Sequence, residues 1–166
     1  MPQVLAINTD ARMFSFTFAK PPPTIPLDPE IVMQEIKLQS ELDMFKVPEQ
    51  IAEYVQRRFV STSRLFVACY QAQVVSMSLL NPDHKVGRML YGNFTVPEFR
   101  GRYINAGLMA FILKTMKREG AKEILVSCHR DNASSKAAIL RAGFTELGIL
   151  QRLERRIRRW VRSPQE

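Results

Sequence analysis

Val96-Pro97-Glu98-Phe99-Arg100-Gly101-Arg102-Tyr103-Ile104 is the stretch on which the fold turns. Residues 89–96 carry the β-branched and aromatic side chains of a strand, and Pro97, with no N–H to donate, stops it. Beyond the turn, Ile104, Leu108, Phe111, Ile112 and Thr115 fall on one helical face, and Gly120 stands where a left-handed residue closes a helix. A strand that turns directly into a helix leaves the first helical N–H groups unpaired, and the helix dipole adds partial positive charge at the same point. Arg100 and Arg102 add full charges. The turn is therefore a candidate anion site, with main-chain donors from residues 102–107 as the cradle for a pyrophosphate. A solvated Arg-Gly turn that only links strand to helix is the alternative.

Working outward, Ile124-Leu125-Val126-Ser127-Cys128 returns as a strand. Asp131-Asn132 then caps a helix in which Ser135, Ala138, Ile139 and Ala142 share a face, and Gly143 ends it before a strand over residues 144–149. On the other side, Leu65 to Tyr70, the connection Gln71-Ala72, and Val74 to Leu80 read as an antiparallel hairpin, followed by turn chemistry at Asn81-Pro82-Asp83-His84. Pro48-Glu49 opens a helix to about Arg58 whose Ile51, Tyr54, Val55 and Phe59 face the core. Asp28-Pro29-Glu30 supplies an acceptor, a preset φ and an acidic first turn, which predicts a helix running to about Leu42. Residues 1–27 are the least legible: Val4-Leu5-Ala6-Ile7 and Met13 to Phe18 are β-prone, but Pro21-Pro22-Pro23 interrupts them. The order of elements predicts an α/β fold with a mixed sheet, in one domain over residues 1–166.

Composition narrows the function classes. With 46% hydrophobic and 24% charged residues the chain can bury a core, which excludes a disordered or fibrous protein. No apolar run approaches the ~20 residues of a membrane span, and the opening Met1-Pro2-Gln3-Val4 lacks a signal peptide's charged start, so cytoplasm is the expected compartment. Cys69 and Cys128 lie far apart in apolar runs and predict no disulfide; with His84 and His129 they are not at ligand spacing, so no metal is expected. Ser127-Cys128-His129 is not a nucleophile-base pair, because adjacent strand residues face opposite sides.

The formal charge of +8 concentrates in the tail, where residues 151–162 hold six arginines against Glu154 alone. Helical spacing aligns Leu150, Leu153, Ile157 and Trp160 or Val161 beneath an arginine face. That face packs on the body or on a second subunit in one reading. In the other, Arg152 to Arg162 with Trp160 contact a nucleic acid.

The loop, the amphipathic helix after it, Val126 to Asn132, and then Ala142-Gly143-Phe144 together resemble the GCN5-related N-acetyltransferase (GNAT) family. The spacing carries the resemblance: the family has an asparagine followed eleven and twelve positions later by Gly-Phe, as Asn132 is by Gly143 and Phe144. The likeness extends over residues 64–150 and implies a mostly antiparallel central sheet flanked by helices. It implies an N-acyltransferase that moves an acyl group from acetyl-CoA or another acyl-CoA to an amine, small molecule or peptide. The expected CoA contacts are Phe94, Thr95 and Val96 of the strand, then Arg100, Gly101, Arg102, Tyr103, Ile104, Asn105, Ala106 and Gly107, then Asn132 and Ser135. Two departures stand out: the family's loop glycines are here Tyr103 and Asn105, and the family's tyrosine seven residues after the asparagine is Ile139.

The chemistry needs a neutral amine, a polarised thioester carbonyl and a proton for the departing sulfur. Ser135 is the nearest hydroxyl to serve as acid. Tyr91, Glu98 and His129 are the candidate bases, with water as the other carrier. A fold that kept CoA binding and lost turnover is the competing reading.

Overall fold

The computed structural model describes residues 10–59, 63–82 and 87–162. The strand expected at residues 4–7, the turn at residues 83–84, and the side chains of Tyr54, Phe59 and Trp160 fall outside what is described. One seven-stranded sheet organises the chain. Its strands are β1 (Ala11–Thr17), β2 (Ile31–Ile36), β3 (Arg64–Tyr70), β4 (Gln73–Asn81), β5 (Met89–Thr95), β6 (Glu123–His129) and β7 (Thr145–Glu146). The helices are α1 (Gln39–Leu42), α2 (Glu49–Phe59), α3 (Ile104–Arg118), α4 (Ala133–Arg141) and α5 (Ile149–Arg162).

The spatial order is β2-β3-β4-β5-β6-β1-β7, and among the described strands β5–β6 is the parallel pair. The mixed, mostly antiparallel sheet flanked by helices is as expected. Helices α3 and α4 bury Leu108, Met109, Ile112, Ile139 and Ala142 against Phe14, Phe16, Leu90 and Val126 on one face. Leu42 of α1, with Ile51 and Val55 of α2, packs on Leu65, Val67, Met77 and Leu79 of the other. The hairpin turn puts Gln71 and Ala72 at φ 46° and 61°, the left-handed pair that a two-residue connection between twisted strands requires.

Three expectations are corrected. The helix predicted from Asp28 is instead a turn and a strand: Asp28 Oδ1 accepts the Glu30 N–H at 2.9 Å and its carbonyl accepts Ile31 N–H at 3.0 Å. From Ile31 the chain pairs antiparallel with β3 over all six residues, so ladder pairing overrides the helix-start signal; only Gln39–Leu42 is helical. Arg64 fixes this edge, its guanidinium bonding Glu35 of β2 and Glu119 beyond α3 at 2.7–2.8 Å.

The strand predicted over residues 144–149 shortens to Thr145–Glu146, because Gly148 N–H donates to Gln151 Oε1 at 2.8 Å and α5 starts at Ile149. The tail is the helix its spacing predicts, but it is turned over. Arg152, Arg155 and Arg156 face the body, while Leu150, Ile157 and Val161 are exposed. Acceptors on the sheet decide this: Arg155 pairs with Glu123, and Arg152 Nη1 reaches the Ala11 carbonyl at 3.0 Å. Least anticipated is β1, which lies between β6 and β7 and so completes the half of the sheet that carries α4.

Candidate active site

Parallel pairing of β5 with β6 covers only Met89–Leu125 and Leu90–Val126. Past Leu90 the β5 main chain has no ladder partner on its β6 side among the described residues, and Gly92 at φ 64° with a register shift against β4 marks a bulge. A cleft of about 530 Å³ opens there. Its walls are Asn93, Phe94 and Thr95 of β5, the turn into α3, and the face of α4 that carries Asn132, Ser134, Ser135, Ala138 and Arg141.

Hydroxyls on β4 hold the β5 wall. Ser76 Oγ donates to the Phe94 carbonyl at 2.9 Å and lies 2.9 Å from Thr95 Oγ1, and Ser78 Oγ donates to Asn93 Oδ1. Both serines are buried, so these bonds satisfy polar groups that would otherwise be costly in the sheet.

A short 3₁₀ turn, Pro97–Phe99, reverses the chain, and Tyr103 stands as the N-cap of α3 at φ 62°, ψ 14°. Gly107 N–H bonds the Tyr103 carbonyl at 2.9 Å and so closes the first helical turn. The amides of Ile104, Asn105 and Ala106 precede that bond and have no partner within the helix. All three residues line the cleft. On the opposite wall Asn132 caps α4, its Oδ1 accepting Ser135 N–H at 3.0 Å.

The structure thus brings Phe94, Thr95, Arg100, Gly101, Tyr103, Ile104, Asn105, Ala106, Asn132 and Ser135 to one cleft. Val96, Arg102 and Gly107 stand outside its lining. The Val96 N–H is spent on the Val75 carbonyl at 2.9 Å. The Arg102 guanidinium lies over the Phe99 ring at 4.9 Å. Gly107 is a packing glycine, since a Cβ there would meet Leu27 Cδ1 at 2.5 Å.

None of the three expected side-chain bases lines the cleft. Tyr91 packs with the α2 cluster, its hydroxyl 2.5 Å from Ser63 Oγ, and Glu98 is exposed on the 3₁₀ turn. His129 is exposed as well, with Nδ1 accepting the Asp131 N–H at 3.2 Å. Burial pushes the Cys69 thiol up to about 11, and burial also raises Cys128, against a lowering by the Ser135 hydroxyl and Lys136. Neither thiol is activated as a nucleophile. Ile139, where the resemblance has a tyrosine, is fully buried.

Sequence reading missed Arg141, Asn93 and Ser134. Arg141 was within reach, because Ser134, Ala137/Ala138 and Arg141 recur at helical spacing on one face of α4.

The cleft fits a phosphorylated ligand: among the described residues the first amides of α3 have no partner within the helix, and the dipole of a 15-residue helix adds partial positive charge at the same point. Among the described residues no cluster of His, Cys, Asp and Glu could hold a metal ion, and no helix is long and apolar enough to cross a membrane.

Comparison with known proteins places these features. Residues 33–144 match the model of the acetyltransferase (GNAT) family. A GCN5-related N-acetyltransferase from Sphaerobacter thermophilus superposes with a TM-score of 0.61 at 14% identity, over 82% of this chain and 48% of that one. A GNAT-family acetyltransferase from Colwellia psychrerythraea gives 0.60 at 21% identity, over 82% and 52%. One from Elizabethkingia anophelis, solved with acetyl-CoA bound, gives 0.55 at 13% identity, over 71% and 78%. The chain spans about half the length of the first two. No curated protein matches it.

Proposed function

Because the chain belongs to the GNAT acetyltransferase family, we propose that it transfers an acyl group from acetyl-CoA or a related acyl-CoA to an amine. The observation that carries this reading is the row of unpaired amides at Ile104, Asn105 and Ala106 opening onto a cleft whose far wall is the Asn132 cap. The α3 amides receive the pyrophosphate, and the exposed edge of β5 at Phe94 and Thr95 receives the pantetheine arm and the thioester. Asn132 holds the arm from the side of α4. A neutral amine adds to the thioester carbonyl, the tetrahedral adduct collapses, the C–S bond breaks, and the sulfur leaves as thiolate. Ser135, a hydroxyl of the α4 wall in place of the absent tyrosine, passes its proton to that thiolate and regains one from the water that deprotonates the amine. Water takes the proton from the amine, since Tyr91, Glu98 and His129 stand away from the cleft. General acid–base assistance is worth about 10² to 10⁴ in rate, so a water-carried proton slows turnover without abolishing it.

A silent CoA-binding module is the second reading, favoured by one observation: at the position of the family's tyrosine stands Ile139, fully buried and without a hydroxyl. The tail supplies little support for a nucleic-acid role, because Arg152, Arg155 and Arg158 are engaged within the chain.

Thermal shift with acetyl-CoA, followed by thiol release across a panel of amines, tests the proposal. Ligand at about 100 times Kd should stabilise by roughly 2.7 kcal/mol. Stabilisation without thiol release leaves the silent module; the absence of any shift with acetyl-, longer acyl- and free CoA removes both readings.

A further inference from the structure

Resting on the CoA reading of this cleft, we propose that Arg141 and Tyr103 form a phosphate-reading clamp across its mouth, with Arg141 supplying the ligand-directed cation. Of the arginines that sequence points to, Arg100 lines the cleft but folds back onto its own β5 wall, and Arg102 lies outside the lining. Arg100 Nε donates to the Thr95 carbonyl at 2.9 Å with its guanidinium 5.5 Å from the Phe94 ring, and Arg102 lies on Phe99 outside the cleft. Arg141 lines the cleft from α4, and among the described residues no carboxylate pairs with it. Its partner is the Tyr103 ring, 4.0 Å from the guanidinium carbon.

A guanidinium held over an aromatic face by cation–π attraction keeps N–H donors for a ligand, and its fork matches two phosphoryl oxygens. Tyr103 reaches across from the α3 end, where it holds a left-handed backbone that tyrosine rarely adopts and the residue is 53% exposed. Such strain persists where the surroundings hold it, and these positions cluster at ligand clamps. The α3 amides and the Arg141 edge then grip phosphate from opposite walls. Within CoA that phosphate is either the pyrophosphate or the ribose 3′-phosphate.

Calorimetric titration with CoA, dephospho-CoA and pantetheine tests the clamp. Arg141→Gln, at an exposed position, should weaken CoA about tenfold or more and flatten its salt dependence, while leaving pantetheine unchanged. Tyr103→Asn, which tolerates the left-handed backbone without a ring, should do the same, and Tyr103→Phe should bind as wild type. If the Arg141→Gln penalty persists with dephospho-CoA the clamp reads the pyrophosphate; if it vanishes the clamp reads the 3′-phosphate. CoA affinity of Arg141→Gln within about twofold of wild type overturns the clamp, as does an equal loss for pantetheine. A wild-type protein that binds no CoA sinks the transferase proposal instead. Inorganic pyrophosphate then decides the clamp: binding that Arg141→Gln loses upholds it, and no binding by wild type ends it.

Discussion

The Arg155 guanidinium sits two-pronged on the Glu123 carboxylate, with Nη2 to Oε2 at 2.6 Å, and that same oxygen accepts the buried Ser15 hydroxyl at 2.6 Å. One carboxylate at the start of β6 thus ties α5 to the inserted strand β1. The apolar edge of α5 at Leu150, Ile157 and Val161 remains in solvent, so this polar contact orients the helix.

Removing either partner should loosen α5. Arg155→Ala strands a half-buried carboxylate and should cost about 1–2 kcal/mol, discounted from a fully buried charged bond because about a third of the arginine side chain is exposed. Arg158→Ala breaks only the exposed pair with Glu154 one turn away and should cost roughly 0.3 kcal/mol. Urea denaturation of the two variants checks the contrast, and equal losses would refute the anchoring role.

The same pair sets an acid limit. Burial raises the Glu123 pKa, but the Arg155 guanidinium and the Ser15 hydroxyl outweigh it and leave the carboxyl below its ordinary 4.5. The unfolded chain therefore takes up this proton first as pH falls. The stabilisation is present above about 4.5 and is lost as pH drops through the lower folded value. Urea midpoints followed from pH 6 to pH 3 should fall less steeply for Glu123→Gln than for wild type. Identical slopes would mean that other carboxyls carry the acid sensitivity.

Gly143 ends α4 at φ +94°, and a Cβ there would lie 3.2 Å from Cε2 of the fully buried Phe16. Left-handed strain costs an L residue about 1–2 kcal/mol, and crowding against a packed ring adds about 1 kcal/mol. Gly143→Ala should therefore lose about 2–3 kcal/mol. Gly101→Ala, at φ +77° with open space around it, carries the strain alone and should lose about 1 kcal/mol. Chemical denaturation of both separates strain from crowding, and equal losses would discount the Phe16 contact.

Local signals made the β5-turn-α3 and β6-α4 units readable in advance. Pro97 stops a strand, Asn132 caps a helix with its side chain, and Gly120 and Gly143 at φ +77° and +94° end helices, each through chemistry local to the residue. What failed was decided by distant residues. Asp28-Pro29-Glu30 carries helix-start chemistry, and only β3, more than thirty residues on, draws Ile31–Ile36 into a ladder. Nothing in Met13 to Phe18 names β6 and β7 as its neighbours. The inward face of α5 depends on Glu123, 32 residues earlier. Within the cleft, the α3 amides were legible from the turn, whereas the exclusion of Arg102 and Gly107 follows from an aromatic contact and a helical bond that begin only once α3 has a definite first residue.

Asn132 has two roles that a pair of substitutions can separate. Its Oδ1 accepts the Ser135 N–H at 3.0 Å, which makes it a helix cap whatever else it does. Asn132→Ala should cost about 1 kcal/mol of stability through loss of that cap. Asn132→Ser restores a side-chain oxygen at the cap and should be within about 0.5 kcal/mol of wild type, yet it has no amide to reach a ligand across the cleft. If Asn132 also holds the pantetheine arm, the serine variant should bind acetyl-CoA about fivefold more weakly, the scale of one net hydrogen bond. Thermal denaturation and acetyl-CoA titration on the same preparations give both quantities. A serine variant as stable as wild type and equally tight would make Asn132 a cap alone, and would leave the α3 amides and the edge of β5 to hold the ligand without α4.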